Sequence, residues 1–277
     1  MKSFETLQIS IDNRIGHIEL SRPEKMNSMT QAFWRELPTA ARQIEQNPEV
    51  RVIVLSAQGT HFCSGMDLDV FQTIGGKEDV TPSRASADLR EKILELQDTA
   101  NALEQIRVPV IAAVQGACIG GALSFLTACD MRYCSSDAFF SVEEINIGMT
   151  CDVGSLQRLP HILSDSHLRE WVYTGNKLPA EQARQWGLVN NVYADQQVML
   201  EEVMKIASNI ASKSPLALHG CKVSMNYNRD HTVAAGLEQI ATWNAGMLDR
   251  GDILKAIQAR KEKTVADFAS LEAPRKR

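Results

Sequence analysis

Short continuous apolar runs alternate along this chain with helical stripes of apolar side chains, and that alternation limits the possible folds most strongly. The run at residues 52–55 is rich in β-branched residues and lies between helical patterns at 30–46 and 86–106, and a second run follows at 110–115. A strand buried on both faces has this composition, and parallel strands need a crossover connection that is usually a helix. The pattern therefore predicts an α/β fold.

The two ends of the chain differ in character. Residues 7–11 and 14–20 alternate apolar and polar around Asp12-Asn13, which predicts a β-hairpin. Further patterns predict a helix at 120–128 and strands at 131–134 and 138–142. From about residue 195 the pattern is helical, so we expect an α/β part at 1–195 and a helical C-terminal region at 196–277. Periodicity leaves open whether that region packs on the α/β core or on a neighbouring subunit.

Composition argues against several classes of partner. The 29 Lys and Arg against 34 Asp and Glu residues give a net charge of -5, which disfavours binding of nucleic acid. No apolar run approaches the roughly 18 residues of a membrane span, and the N-terminal residues lack signal-peptide or presequence character, so we expect a cytoplasmic protein without a membrane partner. The six cysteines form no CxxC pair and no cluster with histidine, so we expect them to be reduced and buried, and we expect no metal site.

Two glycine-bearing segments, at 59–68 and 116–123, directly follow the predicted strands. Glycine permits sharp turns and close approach of the backbone to a ligand, and a helix N-terminus leaves amide donors unpaired. Two such segments can supply two amides to one developing negative oxygen, and simple tight turns are the structural alternative. The spacing does not match the dinucleotide pattern GxGxxG, and no Gly-x-Ser-x-Gly elbow occurs, which argues against hydride transfer and serine hydrolysis.

Two carboxylates follow the predicted strand at 138–142. Glu144 lies between apolar neighbours, and Asp152 precedes a predicted helix start. From spacing alone, Asp152 is a candidate helix N-cap and Glu144 a surface or ion-paired residue. The residues by themselves therefore leave a structural and a catalytic interpretation open for both positions.

A group of strings distributed over nearly the whole chain carries a family resemblance. They are Arg22-Pro23-Glu24-Lys25-Met26-Asn27, Phe62-Cys63-Ser64-Gly65-Met66-Asp67-Leu68, Gly116-Ala117-Cys118-Ile119-Gly120-Gly121, Cys129-Asp130-Met131-Arg132-Tyr133-Cys134, Asp152-Val153-Gly154-Ser155-Leu156-Gln157-Arg158 and Arg229-Asp230-His231. The second and third are similar to the two oxyanion-hole signatures of the crotonase superfamily, the enoyl-CoA hydratases and isomerases. Within it, the chain resembles the Δ3,5-Δ2,4-dienoyl-CoA isomerases.

The resemblance implies a spiral of ββα repeats, with a helical C-terminal region that trimerises and commonly gives a hexamer of two trimers. It implies an acyl-CoA substrate, with coenzyme A carried as the thioester and no separate cofactor. It places the oxyanion-hole amides at Met66 and Gly121. A further set of residues falls in segments that meet CoA, with a solvated surface as the alternative for the first two: Arg22, Lys25, Ser64, Gly65, Asp67 and Leu68.

For the catalytic residues, the resemblance applies position by position. Glu144 matches the glutamate that hydratases and isomerases share, and Asp152 matches the aspartate of dienoyl-CoA isomerases. Ser124 departs from the family, because hydratases have a glutamate there and dienoyl-CoA isomerases an aspartate. Serine cannot act as a base near neutral pH, which disfavours efficient hydration of a double bond.

The expected reaction is the conversion of a 3,5-dienoyl-CoA into the conjugated 2,4-dienoyl-CoA. A proton leaves C2, an oxyanion-stabilised dienolate forms, and a proton arrives at C6, so two separated acid-base groups suit the reaction. Glu144 near C2 and Asp152 near C6 meet that demand. The alternatives are a Δ3-Δ2-enoyl-CoA isomerase that uses Glu144 alone, a weak enoyl-CoA hydratase, and a noncatalytic acyl-CoA-binding protein, which the serine at position 124 favours.

Overall fold

The computed structural model describes residues 3–67, 69–70 and 81–275 of the chain. The strands are β1 Leu7–Asp12, β2 Ile15–Leu20, β3 Val52–Ala57, β4 Val110–Val114, β5 Ala117–Ile119, β6 Met131–Ser135, β7 Phe139–Ser141, β8 Leu178–Pro179 and β9 Asn191–Tyr193. The helices are α1 Gln31–Glu45, α2 Pro82–Gln105, α3 Gly121–Thr127, α4 Ser155–Arg158, α5 Asp165–Thr174, α6 Ala180–Trp186, α7 Gln196–Ala211, α8 Pro215–Tyr227, α9 Val233–Met247 and α10 Arg250–Glu262. Short 3-10 helices lie at Pro23–Lys25, Glu143–Ile147 and Leu159–His161.

The larger sheet has the order β1-β2-β3-β4-β6-β9. Its first two strands form the predicted antiparallel hairpin, and its turn residues Asn13 and Arg14 have positive φ values of 48° and 66°, which suit a tight hairpin turn. All later neighbours pair in parallel, and every residue of β3 and β4 is buried. The predicted α/β class is thereby confirmed.

A smaller sheet with the order β5-β7-β8 lies beside the larger one. In the unit β4-β5-α3, the chain passes from a strand of the larger sheet to a strand of the smaller sheet and then into a helix. β6 and β7 repeat the first two steps, and β5 and β7 pair in parallel. An isolated parallel bridge joins Cys63, downstream of β3, to Cys118 of β5. The unit β4-β5-α3 is one ββα repeat of the kind that the resemblance implies.

The larger sheet is covered on both faces, which explains why its central strands are apolar throughout. On β3, Ile53 and Leu55 belong to the cluster that includes the apolar residues of α1, α2 and α3. Val52 and Val54 point to the other face, where the buried side chains of α7 pack. The first helix of the predicted C-terminal region therefore shares a core with the strands. The division at 195 and 196 stays a prediction.

Beyond α7, the last helices carry exposed apolar side chains. The most exposed on α9 and in the segment that follows it are Val233, Leu237 and Leu248, at 78%, 63% and 62% of their full accessible surface. The predicted trimerisation of this region stays a prediction, since a single chain does not test it. Within the described residues, no helix combines the length and apolar character needed to cross a membrane.

Lys222 anchors α8 to the core from a buried position. Its side chain is only 4% exposed, and its ammonium group donates to the carbonyl oxygens of Leu103 and Val108, at 3.1 and 3.0 Å, and to Oδ2 of Asp130 at 2.9 Å. Three acceptors match the three donors of an ammonium group, so the charge is buried without an unpaired hydrogen.

The cysteines differ from the prediction at one position. Cys221 is exposed, although we expected all six to be buried; the other five are buried, and all six are free thiols.

The substitution Lys222→Met should lower the free energy of unfolding by about 3–5 kcal/mol, because it leaves two carbonyls and a carboxylate without their buried partner. Urea unfolding at one fixed protein concentration measures this. Lys205→Met is the matched control, since Lys205 pairs with Glu202 while 70% exposed and should change the free energy of unfolding far less than Lys222→Met does. Equal effects of the two substitutions would contradict the anchoring role.

Candidate active site

The parallel register of short strands brings three segments to one edge of the smaller sheet. Cys63 is bridged in parallel to Cys118, and Cys118 is the register partner of Phe140 on β7. Ligands of parallel α/β sheets bind beyond the carboxyl ends of the strands. Three or four residues beyond this paired row come the residues predicted to act on the substrate, Met66, Gly121 and Glu144.

The Met66 segment is held by its neighbour Met29. The amide of Met29 donates to the carbonyl of Gly65 at 2.8 Å, and the amide of Asp67 donates to the carbonyl of Met29 at 3.1 Å. Because these two bonds use the residues on either side of Met66, the amide of Met66 takes no part in the pairing with Met29. Gly65 has a φ of 93°, and a Cβ there would lie 3.0 Å from the carbonyl oxygen of Ile119, so glycine lets the two loops approach closely.

Gly121 is the first residue of α3, and Gly120 is its N-cap with a φ of 56°. A Cβ on Gly121 would lie 2.5 Å from Cε of Met29 and 3.1 Å from the Trp34 ring, so the site lacks room for a side chain. Within the described parts of the chain, neither the Met66 nor the Gly121 amide donates to a protein acceptor. Two free amides at one sheet edge are the donors that an oxyanion hole requires.

Glu144 lies in the 3-10 helix Glu143–Ile147, with its carboxylate against Gly120. A Cβ built on Gly120 would be 3.7 Å from the carboxylate carbon and from both carboxylate oxygens of Glu144. Oε2 is buried and has no hydrogen-bond partner among the described residues. Burial raises the pKa of Glu144, and the negative charges of Asp152 and Glu143 add to that rise. The interpretation as a surface or ion-paired residue is therefore wrong.

Asp152 lies in the loop that leads from this 3-10 helix to α4. The N-cap of α4 is Gly154, with a φ of 113°, so the expectation that Asp152 caps the helix is wrong. Its side chain is consequently not occupied by capping. Burial raises the pKa of Asp152, and its backbone carbonyl accepts a hydrogen bond of 2.7 Å from Nε2 of Gln97. The site thus contains two carboxyl groups that both hold protons more tightly than usual.

Ser124 lies one turn along α3 from Gly121. It is fully buried, and its hydroxyl has no hydrogen-bond partner in the part of the chain that the structure describes. Within that same part, Ser155 on α4 is also buried with a hydroxyl that lacks a partner, and α3 packs against α4. The serine at position 124 therefore brings no charge to the interior near these carboxylates.

The predicted CoA residues form a connected loop cluster. Arg22 donates from Nη1 to the carbonyl of Ser28 at 3.0 Å and lies 3.8 Å from Oδ2 of Asp67. The Ser28 hydroxyl donates to the same carboxylate at 2.9 Å, and these contacts lower the pKa of Asp67. Arg22 and Asp67 thus fix the relative position of the two loops, while Lys25 is exposed beside them.

Ser64 belongs to the same cluster, because its amide donates to the carbonyl of Met26 at 3.0 Å. Leu68, also predicted to contact CoA, lies outside the described residues.

Two neighbours of Glu144 and Asp152 were not predicted from the sequence. Cys151 is one: burial and the negative charge of Glu144 raise the pKa of its thiol to about 12. Gln97 reaches Asp152 from α2, more than fifty positions earlier in the chain. Cys151 was assigned only to the buried cysteines, and no local signal connects Gln97 with Asp152, since their contact depends on helix packing.

Comparisons with known proteins agree with this geometry. Residues 10–271 match the family described as "Enoyl-CoA hydratase/isomerase". The mitochondrial Delta(3,5)-Delta(2,4)-dienoyl-CoA isomerase of Rattus norvegicus is 42% identical, over 94% of this chain and 81% of that protein. The peroxisomal enzyme of the same name from Arabidopsis thaliana is 40% identical, over 98% and 99%.

Solved structures show the same fold. A putative enoyl-CoA hydratase from Thermobifida fusca YX, solved in complex with acetoacetyl-CoA, is 27% identical with a TM-score of 0.78, over 88% of this chain and 94% of that one. The enoyl-CoA hydratase from Bacillus anthracis is 27% identical with a TM-score of 0.85, over 95% and 99%.

The comparisons correct the predicted location. We expected a cytoplasmic protein, but the similar isomerases are mitochondrial in Rattus norvegicus and peroxisomal in Arabidopsis thaliana, so that prediction is wrong. Cellular addresses are short signals read by receptors, and neither composition nor the pattern of strands and helices reports them.

The substitution Glu144→Gln should raise the thermal midpoint of unfolding at neutral pH. The folded-state pKa of Glu144 lies above its unfolded value, so wild-type stability falls as the pH rises from the unfolded pKa through the folded pKa. The amide variant escapes this loss, and its advantage should vanish at acidic pH, where the glutamate is protonated in both states. Glu170→Gln, at an exposed position on α5, is the control. A lower midpoint for Glu144→Gln at neutral pH would contradict the assignment.

Proposed function

Because the chain belongs to the enoyl-CoA hydratase/isomerase family, we propose that it converts a 3,5-dienoyl-CoA into the conjugated 2,4-dienoyl-CoA. The observation that carries this proposal is the pair of part-buried carboxyl groups, Glu144 and Asp152, at the edge where two amides are free. Similar proteins named as isomerases of this specificity support it.

In the proposed reaction, the amides of Met66 and Gly121 bind the thioester oxygen. Glu144 takes a proton from C2, and the electron pair of that C–H bond delocalises through both double bonds and onto the thioester oxygen as a dienolate. Asp152 then donates its proton to C6, which leaves double bonds at positions 2 and 4. Proton exchange with solvent afterwards restores an ionised Glu144 and a protonated Asp152.

The raised pKa values of the two carboxyl groups suit these different tasks. A base must be ionised and an acid protonated at the same pH, and each works best with a pKa near that pH. Burial moves both groups in that direction, and the charge of Asp152 adds to the rise at Glu144. The raised pKa of Asp152 favours the protonated form that the proposed acid needs.

The proposed substrate is an acyl-CoA, since the Thermobifida fusca neighbour was solved with acetoacetyl-CoA. The exposed Lys25 and the loops around Asp67 are the proposed contacts for CoA, which arrives as part of the substrate; no separate cofactor is proposed. The exposed apolar residues of α9 support association of three chains or two sets of three, as the family resemblance implies.

Ser124 favours isomerisation over hydration. Its buried hydroxyl brings no second carboxylate to hold and activate a water molecule. A Δ3-Δ2-enoyl-CoA isomerase that relies on Glu144 alone is the second candidate, and the single unpartnered carboxylate oxygen of Glu144 is the observation that favours it. The relatives named as dienoyl-CoA isomerases argue against the noncatalytic acyl-CoA-binding alternative.

The substitution Asp152→Asn should reduce formation of 2,4-dienoyl-CoA from 3,5-octadienoyl-CoA by about 10²–10⁴-fold, because it removes the group that protonates C6. The product's ultraviolet absorbance measures the rate. Glu144→Gln should abolish both this reaction and conversion of a 3-enoyl-CoA, whereas Asp152→Asn should spare the latter. A wild-type protein that turns over only the 3-enoyl-CoA would exclude the proposed specificity, and binding without turnover of either substrate would indicate the noncatalytic alternative.

The pH dependence of kcat/KM for the dienoyl substrate should be bell-shaped. Activity falls at low pH as Glu144 becomes protonated, at a pH above the ordinary glutamate range, and it falls at high pH as Asp152 loses its proton. Initial rates across a pH series with constant ionic strength test this. In Asp152→Asn, the residual activity should lose the high-pH limb, and an unchanged profile would argue against Asp152 as the acid.

A further inference from the structure

One face of α2 is directed at the loop that contains Asp152. Gln97, Asn101 and Glu104 follow one another at helical spacing, so their side chains project from one side of α2. Gln97 contacts Asp152 at the start of the segment 152–158, and Asn101 and Glu104 both contact Arg158 at its end. The loop that contains a proposed catalytic carboxyl is therefore attached to a long helix by polar contacts.

The contacts are specific in geometry. Nε2 of Gln97 donates to the Asp152 carbonyl at 2.7 Å. Nη2 of Arg158 donates to Oδ1 of Asn101 and to Oε2 of Glu104, both at 2.8 Å, and its side chain is only 11% exposed. An ion pair that is this shielded from water is worth more than a surface pair, and the planar guanidinium fixes its direction.

The Arg158 guanidinium also contacts the loop itself. Its Nη1 lies against Gly154, where a Cβ would come within 2.2 Å of that atom, and Gly154 has a φ of 113°. This glycine sits two residues after Asp152, so the guanidinium occupies the space beneath the turn that presents the carboxyl group. Any side chain at position 154 would displace it.

The C-terminal region reaches the same cluster. Arg229, which follows α8, pairs with Oε1 of Glu104, and Nδ2 of Asn226 donates to the backbone carbonyl of Glu104 at 3.2 Å. The two arginines thus hold separate oxygens of one carboxylate, and both lower the pKa of Glu104. The strings around Arg158 and Arg229, noted in the sequence only as family resemblance, meet at this residue.

We propose that Gln97 and Arg158 are positioning residues that hold the Asp152 carboxyl at the distance from Glu144 that protonation of C6 requires. This inference rests on the proposed function. The action is mechanical, because Gln97 holds the backbone of Asp152 and Arg158 holds the turn beyond it. Burial raises the pKa of Asp152, and no guanidinium is among the causes. Loss of Arg158 should therefore change the position of the Asp152 carboxyl group more than its pKa.

A misplaced acid gives a recognisable chemical result. Glu144 still removes the C2 proton and the two amides still stabilise the dienolate, but delivery of a proton to C6 is slow. The dienolate then returns to the starting 3,5-diene by protonation at C2. In D₂O that return introduces deuterium at C2 of the recovered substrate, so exchange and isomerisation report separately on the two carboxyl groups.

The experiment compares wild type, Gln97→Met, Arg158→Lys and Asp152→Asn with 3,5-octadienoyl-CoA in D₂O. Mass spectrometry of recovered substrate gives the exchange rate, and ultraviolet absorbance gives the isomerisation rate. Gln97→Met and Arg158→Lys should lower kcat for isomerisation by about 10- to 100-fold, with KM and C2 exchange nearly unchanged. The matched control is Arg184→Lys, which alters an exposed Arg–Glu pair on α6 and should change neither rate.

Parallel loss of exchange and isomerisation, or no loss of either, would overturn the positioning role. Gln97→Met removes a single hydrogen bond of a part-buried side chain, so it gives an answer even where Arg158→Lys fails to fold. A wild-type protein that forms no 2,4-diene, or an Asp152→Asn protein that isomerises normally, would instead refute the proposed function. The two failures are thus distinguishable.

Discussion

The site depends on the parallel register that places Cys63, Cys118 and Phe140 in one row. These residues are fully buried. Three or four positions after them come Met66, Gly121 and Glu144, which lie together at the sheet edge. A shift of register by one residue would turn each downstream group away from the edge. The two unpaired amides and the Glu144 carboxylate are consequently products of one packing arrangement.

A second constraint is the placement of two carboxyl groups where water is scarce. Burial raises the pKa of both Glu144 and Asp152, and the negative charges of Asp152 and Glu143 add to the rise at Glu144. Such a pair costs stability when ionised, so the surrounding structure must hold it in place. Asp152 is held through its backbone carbonyl and through the turn at Gly154, which leaves its carboxyl oxygens available for chemistry.

Local patterns predicted much of the fold. The hairpin at β1 and β2, the buried strands β3 and β4 and the helix α1 came from alternation, β-branched runs and a helical stripe, all of which are local consequences of burial. Asp152 shows where such reasoning fails. Its position suggested an N-cap, but the helix begins later, at a glycine in the left-handed region. The same loop is held on α2 through Gln97 and Asn101, contacts that a local pattern does not report.

The sequence by itself determined the class of fold, the two glycine-bearing loops and, through family resemblance, Glu144 and Asp152. Those features are local, because a strand's apolar character and a glycine's freedom are properties of the chain at that point. Only the tertiary structure decided which polar groups remain without partners and which helices hold the loop of Asp152. The contacts of Gln97, Glu104 and Arg229 join residues far apart in sequence, and only the packing of α2 between the α/β core and α8 brings them together.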